Sequence, residues 1–248
     1  MFEFDLTVVQ WILLAVCALF VGMSKVGIAG ISMFYIPVLA LIFGGKTSTG
    51  ILLPMLMIAD IFGVAYYHRH AEWKYLVKLL PWAFVGIGIG LWVGKVVNDE
   101  WFKNIIAVLV FAGVGIMLWR EKQKRTDLFP HSWWFAAVMG VLGGFATMIG
   151  NVAGPIFAIY MLAMNLPKNA FIGTGAWFFL IVNFFKFPLQ VWVWNNIEWK
   201  TIIMDLIMLP AIAAGAFLGI WIVRKIPDKI YRTFIVIVTV LSAFLLLI

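Results

Sequence analysis

Ten apolar stretches follow one another along 248 residues, at about 8–24, 28–44, 49–66, 77–95 and 102–119, then 133–149, 152–165, 170–190, 202–223 and 231–248. Stretches of this length and apolarity, separated by short polar loops, predict a chain that crosses a bilayer repeatedly. Inside lipid every backbone N–H and C=O must find a partner within the protein, so the segments are expected to be helices. The expected fold class is therefore all-α, a polytopic helical membrane protein. With 65% hydrophobic and 12% charged residues, the composition exceeds what a water-soluble core of this length needs.

The formal net charge of +7 does not point to nucleic acid, because the basic residues sit in short loops between apolar spans. The single cysteine, Cys17, lies in an apolar run and offers neither a disulfide framework nor a thiolate metal site. No cofactor and no metal is expected. The start of the chain, MFEFDL, is acidic and lacks a small-residue cleavage site, so no removable signal is read there.

Two glycine-rich interruptions divide the chain into related halves. Gly22–Pro37 reads GMSKVGIAGISMFYIP, and Gly144–Pro155 reads GFATMIGNVAGP, with Gly27 and Gly30 answered by Gly150 and Gly154. Glu72-Trp73-Lys74 returns as Glu198-Trp199-Lys200. Pro81, Gly86, Gly90, Trp92 and Lys95 return as Pro210, Gly215, Gly219, Trp221 and Arg224 at a constant spacing. Order and spacing held over several spans argue for duplication. Residues 1–119 and 133–248 are read as two membrane repeats of about five segments each, joined by a connector at 120–132 that carries four basic residues.

Loop charge gives the expected orientation. If the connector is cytoplasmic, alternation also places Arg69, Lys74, Lys78, Lys168, Arg224, Lys225, Lys229 and Arg232 inside, leaving Lys46, Lys95, Lys103 and Lys200 outside. An odd number of segments per repeat makes the repeats inverted and puts both termini on the non-cytoplasmic side. The first two segments of each half are short enough to be broken or re-entrant half-helices at the glycine elements.

Candidate functional residues follow from what is costly in lipid. Ionisable side chains within spans are functional-site hypotheses by default. Lys25 lies in the first glycine element, Lys186 in NFFKFPLQ, Asp60 in MLMIADIFG, and Asp205 near the start of its span, where snorkelling to the interface would explain it. Asp60 lies well away from any predicted end and aligns with Asn183, 123 positions on. Asn151, in the second glycine element, is placed to cap the half-helix that follows, whose N-terminus favours an anion. The expected substrate-binding set is Lys25, Gly27, Gly30, Gly150, Asn151, Gly154, Asn183 and Lys186, with Asp60 as the ion-coupling residue and no catalytic residue. Gly86, Gly90, Gly94, Gly215 and Gly219 are read as helix contacts, and most tryptophans as interface anchors.

These glycine elements, the proline and glycines of 81–94 and the basic central loop together resemble the sulfite exporter TauE/SafE family over essentially the whole chain. The resemblance implies an inverted-repeat transporter moving sulfite or small organosulfur anions out of a bacterial cytoplasm, resident in the inner membrane and driven by a gradient, since no ATP-binding motif is present. Its expected partners are a small anion and the bilayer, with a homodimer left open. An anion channel, distinguished by unsaturable flux, and a lipid-modifying or lipid-flipping protein using His68 and His70, distinguished by activity on lipid, are the alternatives.

Overall fold

A computed structural model describes residues 6–98 except Ala29, residues 133–227, and isolated positions within 100–108 and 230–237. The expected segments at 102–119 and 231–248, and the connector at 120–132, lie almost wholly outside the described residues. Among the described residues every regular element is helical. The first half supplies α1 (Val8–Lys25), α2 (Ser32–Phe43), α3 (Gly45–Tyr67) and α4 (Trp73–Val96). The second supplies α5 (Trp133–Gly150), α6 (Gly154–Ala163), α7 (Lys168–Leu189), α8 (Trp199–Ile207) and α9 (Leu209–Lys225).

Among the described residues five helices, α1, α3, α4, α5 and α7, are long and apolar enough to cross a membrane. The pair α8 and α9 would make a sixth, bent by 49°. The single segment expected over 202–223 is thus two helices. Pro210 has no N–H to return to the carbonyl of Leu206, and the helix gives way at Met208, just before it. At 12 and 10 residues, α2 and α6 reach only about 15–18 Å, roughly half a hydrocarbon core.

α3 and α7 form the centre and run antiparallel. Asp60 meets Asn183, Gly63 meets Ala176, and Tyr67 meets Gly173, so the numbering falls on one helix as it rises on the other. Around them α4 packs chiefly on α5, and α1 on α9. Each crossing is made by glycine. A Cβ on Gly22 would overlap the Ile212 carbonyl, and one on Gly215 the Leu19 carbonyl. On the other side a Cβ on Gly144 would overlap the Ala83 carbonyl, and one on Gly86 the Val141 carbonyl. Without side chains at these points the backbones approach closely, and dispersion and weak C–H···O contacts replace the hydrophobic drive that lipid cannot supply. The helix-contact reading of Gly86, Gly90, Gly215 and Gly219 fits this geometry.

The two crossings correspond residue by residue. Val141 and Gly144 lie 122 positions after Leu19 and Gly22, and Ile212 and Gly215 lie 129 positions after Ala83 and Gly86. The first helix of each half therefore packs on the last helix given above for the other, α1 on α9 and α5 on α4.

Most tryptophans at helix ends are exposed, among them Trp73, Trp133, Trp134 and Trp199. Trp194 is buried instead and donates from Nε1 to the Leu91 carbonyl at 3.1 Å.

Candidate functional site

The two chain breaks meet at the centre of the fold. α1 ends at Lys25, and the next residues turn through Gly27 at φ +119° and Gly30 at φ +97°, a region open to glycine at little cost. Because these residues are spent on the turn, α2 begins at Ser32 and not near Ile28. In the second half Asn151 ends α5 in the left-handed region, φ 57°, and α6 begins at Gly154. The expectation that Asn151 caps α6 is not met. The N-cap of α6 is Ala153, without a side-chain cap, and Ile31 before α2 is likewise uncapped by any side chain. A Cβ built on Gly154 would stand 3.5 Å from Ser32 Oγ, so the two bare helix starts face each other.

Between them lies a cavity with about 720 Å³ of empty space, its open mouth included. Ser24, Lys25, Gly27, Gly30, Ser32 and Tyr35 line it from the first half, and Thr147, Asn151, Gly154 and Asn183 from the second. Phe157, Phe171, Ile172 and Phe179 add an apolar wall. Lys25 is the one charged side chain among these lining residues. Its ammonium stands 2.9 Å from Asp60 Oδ1 and 4.1 Å from the centre of the Phe179 ring, held between a carboxylate and a π face.

Asp60 is fully buried behind Lys25, and its other oxygen accepts a hydrogen bond from Asn183 Nδ2 at 2.6 Å. With its amide nitrogen turned to Asp60, Asn183 presents Oδ1 to Lys186 Nζ at 3.1 Å. Lys186 donates also to Asn151 Oδ1 at 2.6 Å and to Thr147 Oγ1 and the Thr147 carbonyl, both at 2.9 Å. Asn151 in turn donates from Nδ2 to the Thr49 carbonyl at 3.3 Å. Both amides are oriented by partners that can act in one sense only, an ammonium that donates and a carboxylate or carbonyl that accepts.

Lys186 is fully buried and does not snorkel. It stands behind Asn151, Asn183 and Thr147, which line the cavity, and Gly150 is buried and not among the lining residues. Of the expected residues, Lys25, Gly27, Gly30, Asn151, Gly154 and Asn183 thus face one cavity, with Asp60 and Lys186 in the layer beneath. Ser24, Ser32, Tyr35 and Thr147 were not anticipated. Thr147 lies one helical turn before Asn151, a spacing that places both on one face, whereas nothing in the sequence marked Tyr35, whose hydroxyl meets Ser24 Oγ at 3.2 Å.

His68, Arg69 and His70 form an exposed single turn after α3, away from this cavity. Among the described residues no group of three or more His, Cys, Asp or Glu side chains gathers as a metal site.

Two formal positive charges, Lys25 and Lys186, face one negative charge, Asp60, and two uncapped helix N-termini add partial positive charge. A net positive charge beside a cavity lined from both halves is suited to binding a compact anion.

No curated protein and no solved structure matches the chain. The sequence profile of the sulfite exporter TauE/SafE family matches residues 14–246. The chain is a multi-pass membrane protein that belongs to the sulfite exporter TauE/SafE family.

Proposed function

We propose that the protein is a secondary transporter that exports a small anion, sulfite or an organosulfur anion such as a sulfonate, across the bacterial inner membrane by alternating access. The observation that carries this reading is the meeting of two uncapped helix starts, Ser32 and Gly154, in a cavity whose charged lining residue is Lys25. Free N–H groups at a helix N-terminus bind anions without further help, and Lys25 adds a full charge. The wall of Phe157, Phe171 and Phe179 suits the organic part of a sulfonate.

The two halves act as inverted repeats, with both termini on the non-cytoplasmic side and α2 and α6 as re-entrant half-helices. Supporting this are the matched glycine crossings and the direct contact of Asp60 with Asn183, positions 123 residues apart whose meeting a pseudo-two-fold axis through them would explain. A site on that axis is reached equally by rocking either half, which is what alternating access needs.

Asp60 is a coupling group at the anion site. It is ion-paired with Lys25, so an arriving anion competes with an internal carboxylate for the same ammonium. The anion and the Asp60 charge are thereby linked, and Lys186, saturated by four oxygens, fixes the layer on which they compete.

The test is a stability screen of the purified protein against sulfite, sulfonates, sulfate and carboxylates at two pH values. A rise in melting temperature with one class of anion, lost in Gly154→Leu, is expected. Preference for a cation or a neutral solute over every anion would overturn the reading.

A further inference from the structure

Asp205 is 1% exposed, and among the described residues neither of its carboxylate oxygens has a hydrogen-bond partner. It does not snorkel, contrary to the expectation for a residue near the start of its span. Its helix, α8, packs on α3 and α9. The ionisable side chains of those helices are Lys46, Asp60, Tyr66 and Tyr67 on α3 and Arg224 and Lys225 on α9, and α8 itself adds Lys200. None is hydrogen-bonded to or ion-paired with Asp205. Asp60 differs in kind, since Lys25 and Asn183 already satisfy it.

The position makes the carboxylate harder to explain as packing. Asp205 lies in the last turn of α8, where the helix's partial negative charge disfavours another anion. In the first half, Lys74 and Pro81 are seven positions apart, whereas their counterparts Lys200 and Pro210 are ten apart. The three extra residues fall where α8 and α9 part at 49°, while α4 runs unbroken through Pro81. Depending on which side of the insertion is aligned, the counterpart of Asp205 is Leu76 or Leu79, both buried. Leucine therefore fills this place in the other half, and the second half carries a carboxylate there, beside a broken helix.

We propose that Asp205 is the seat of a bound monovalent cation, a proton or a sodium ion, that accompanies the transport cycle. A buried carboxylate with no protein partner is neutralised by a cation, and a helix broken within a span is where transporters hold coupling ions. The cation's part in transport rests on the anion-export reading, whereas its binding does not.

The experiment therefore reads binding first, in detergent-purified full-length protein with no candidate substrate added. For sodium, the melting temperature of the wild type rises in sodium chloride relative to choline chloride, and the shift is lost in Asp205→Asn and Asp205→Leu. For a proton, the infrared spectrum contains the C=O stretch of a protonated carboxyl group that Asp205→Asn removes. Asp205→Leu should melt at least as high as the wild type in choline chloride, which checks that the variants fold. Neither a sodium shift nor a carboxyl band assigned to Asp205 overturns the proposal. In proteoliposomes, accumulation of the anion driven by the same cation's gradient should be lost in Asp205→Asn while anion exchange without a gradient persists. Exchange absent from the wild type counts against the transport reading alone, and gradient-driven accumulation retained in Asp205→Asn overturns the coupling role.

Discussion

Asn183 donates to Asp60 across 2.6 Å, and the two residues lie 123 positions apart, at places the repeat reading makes equivalent. The second half has an amide where the first has an acid, and one amide is what this position needs. It gives a donor to Asp60 and an acceptor to Lys186, which two carboxylates side by side could not do. Asn183→Ala strips a partner from both charged groups at once. The expected loss is about 1–3 kcal/mol for each buried group left short of a hydrogen bond, read as a lowered melting temperature in detergent. Asn183→Gln, whose longer amide must shift both contacts, should fold better than the alanine variant.

The glycine crossings predict a sharp contrast. Gly22, Gly86, Gly144 and Gly215 each stand against a carbonyl of the facing helix, so adding a methyl group forces the backbones apart. Alanine at any of these should cost about 1–3 kcal/mol and lower the yield of monodisperse protein. Gly88, on the same helix as Gly86, has nothing near its Cβ position, and Gly88→Ala should be neutral or slightly stabilising. Size-exclusion profiles of the five variants decide it.

Much of this architecture could be read from sequence because membranes leave few options. Apolar length set the helices, and the spacing of Pro81, Gly86 and Gly90 with Pro210, Gly215 and Gly219 revealed the internal repetition. Lys25, Asp60, Asn183 and Lys186 were found because polar groups in lipid are conspicuous. Their division of labour was not legible. Whether a lysine lines a cavity or stands behind its wall depends on the rotation of α7 about its axis, which is set by packing against α3 and α4. The role given to Asn151 failed for a similar reason. Its sequence context fits an N-cap as well as a left-handed helix terminus, and the pull of Lys186 on its side chain is a contact between elements 35 residues apart. The break at Met208 had a signal, the three extra residues before Pro210, which the repeat alignment contained.

Orientation is tested by labelling. With Cys17 replaced, a single cysteine at Asn195, in the turn after α7, should react with an impermeant thiol reagent in intact cells, and one at Gln123 should be protected. The opposite pattern reverses the orientation and leaves the repeat intact.

Space at the two helix starts separates binding from folding. A methyl group on Gly154 makes only an ordinary contact with Ser32 Oγ, so Gly154→Ala should fold normally while narrowing the gap in which an anion would sit. Gly27 at φ +119° has no such tolerance, and its Cβ position is also crowded by Ile172 and the Tyr231 hydroxyl. Gly27→Ala should lower stability by at least ~1–2 kcal/mol. If Gly154→Ala binds the anion as tightly as the wild type, the helix starts are not the binding surface.

The pair at the base of the cavity makes the most specific demand. Lys25 and Asp60 are 2.9 Å apart with side chains 10% and 0% exposed, so removing either charge alone leaves the other buried without its counter-ion. Each single variant, Lys25→Gln or Asp60→Asn, should destabilise by about 3–5 kcal/mol, whereas the double variant should recover much of that loss because no stranded charge remains. Function should divide differently. An anion that binds at Lys25 has no full charge to meet in the double variant, so folding returns without affinity. In Asp60→Asn, if enough folded protein survives, the anion no longer competes with an internal carboxylate and should bind more tightly than in the wild type. Melting curves with and without the anion, for all four proteins, separate the two effects. A double variant that binds the anion like the wild type would remove Lys25 from the site.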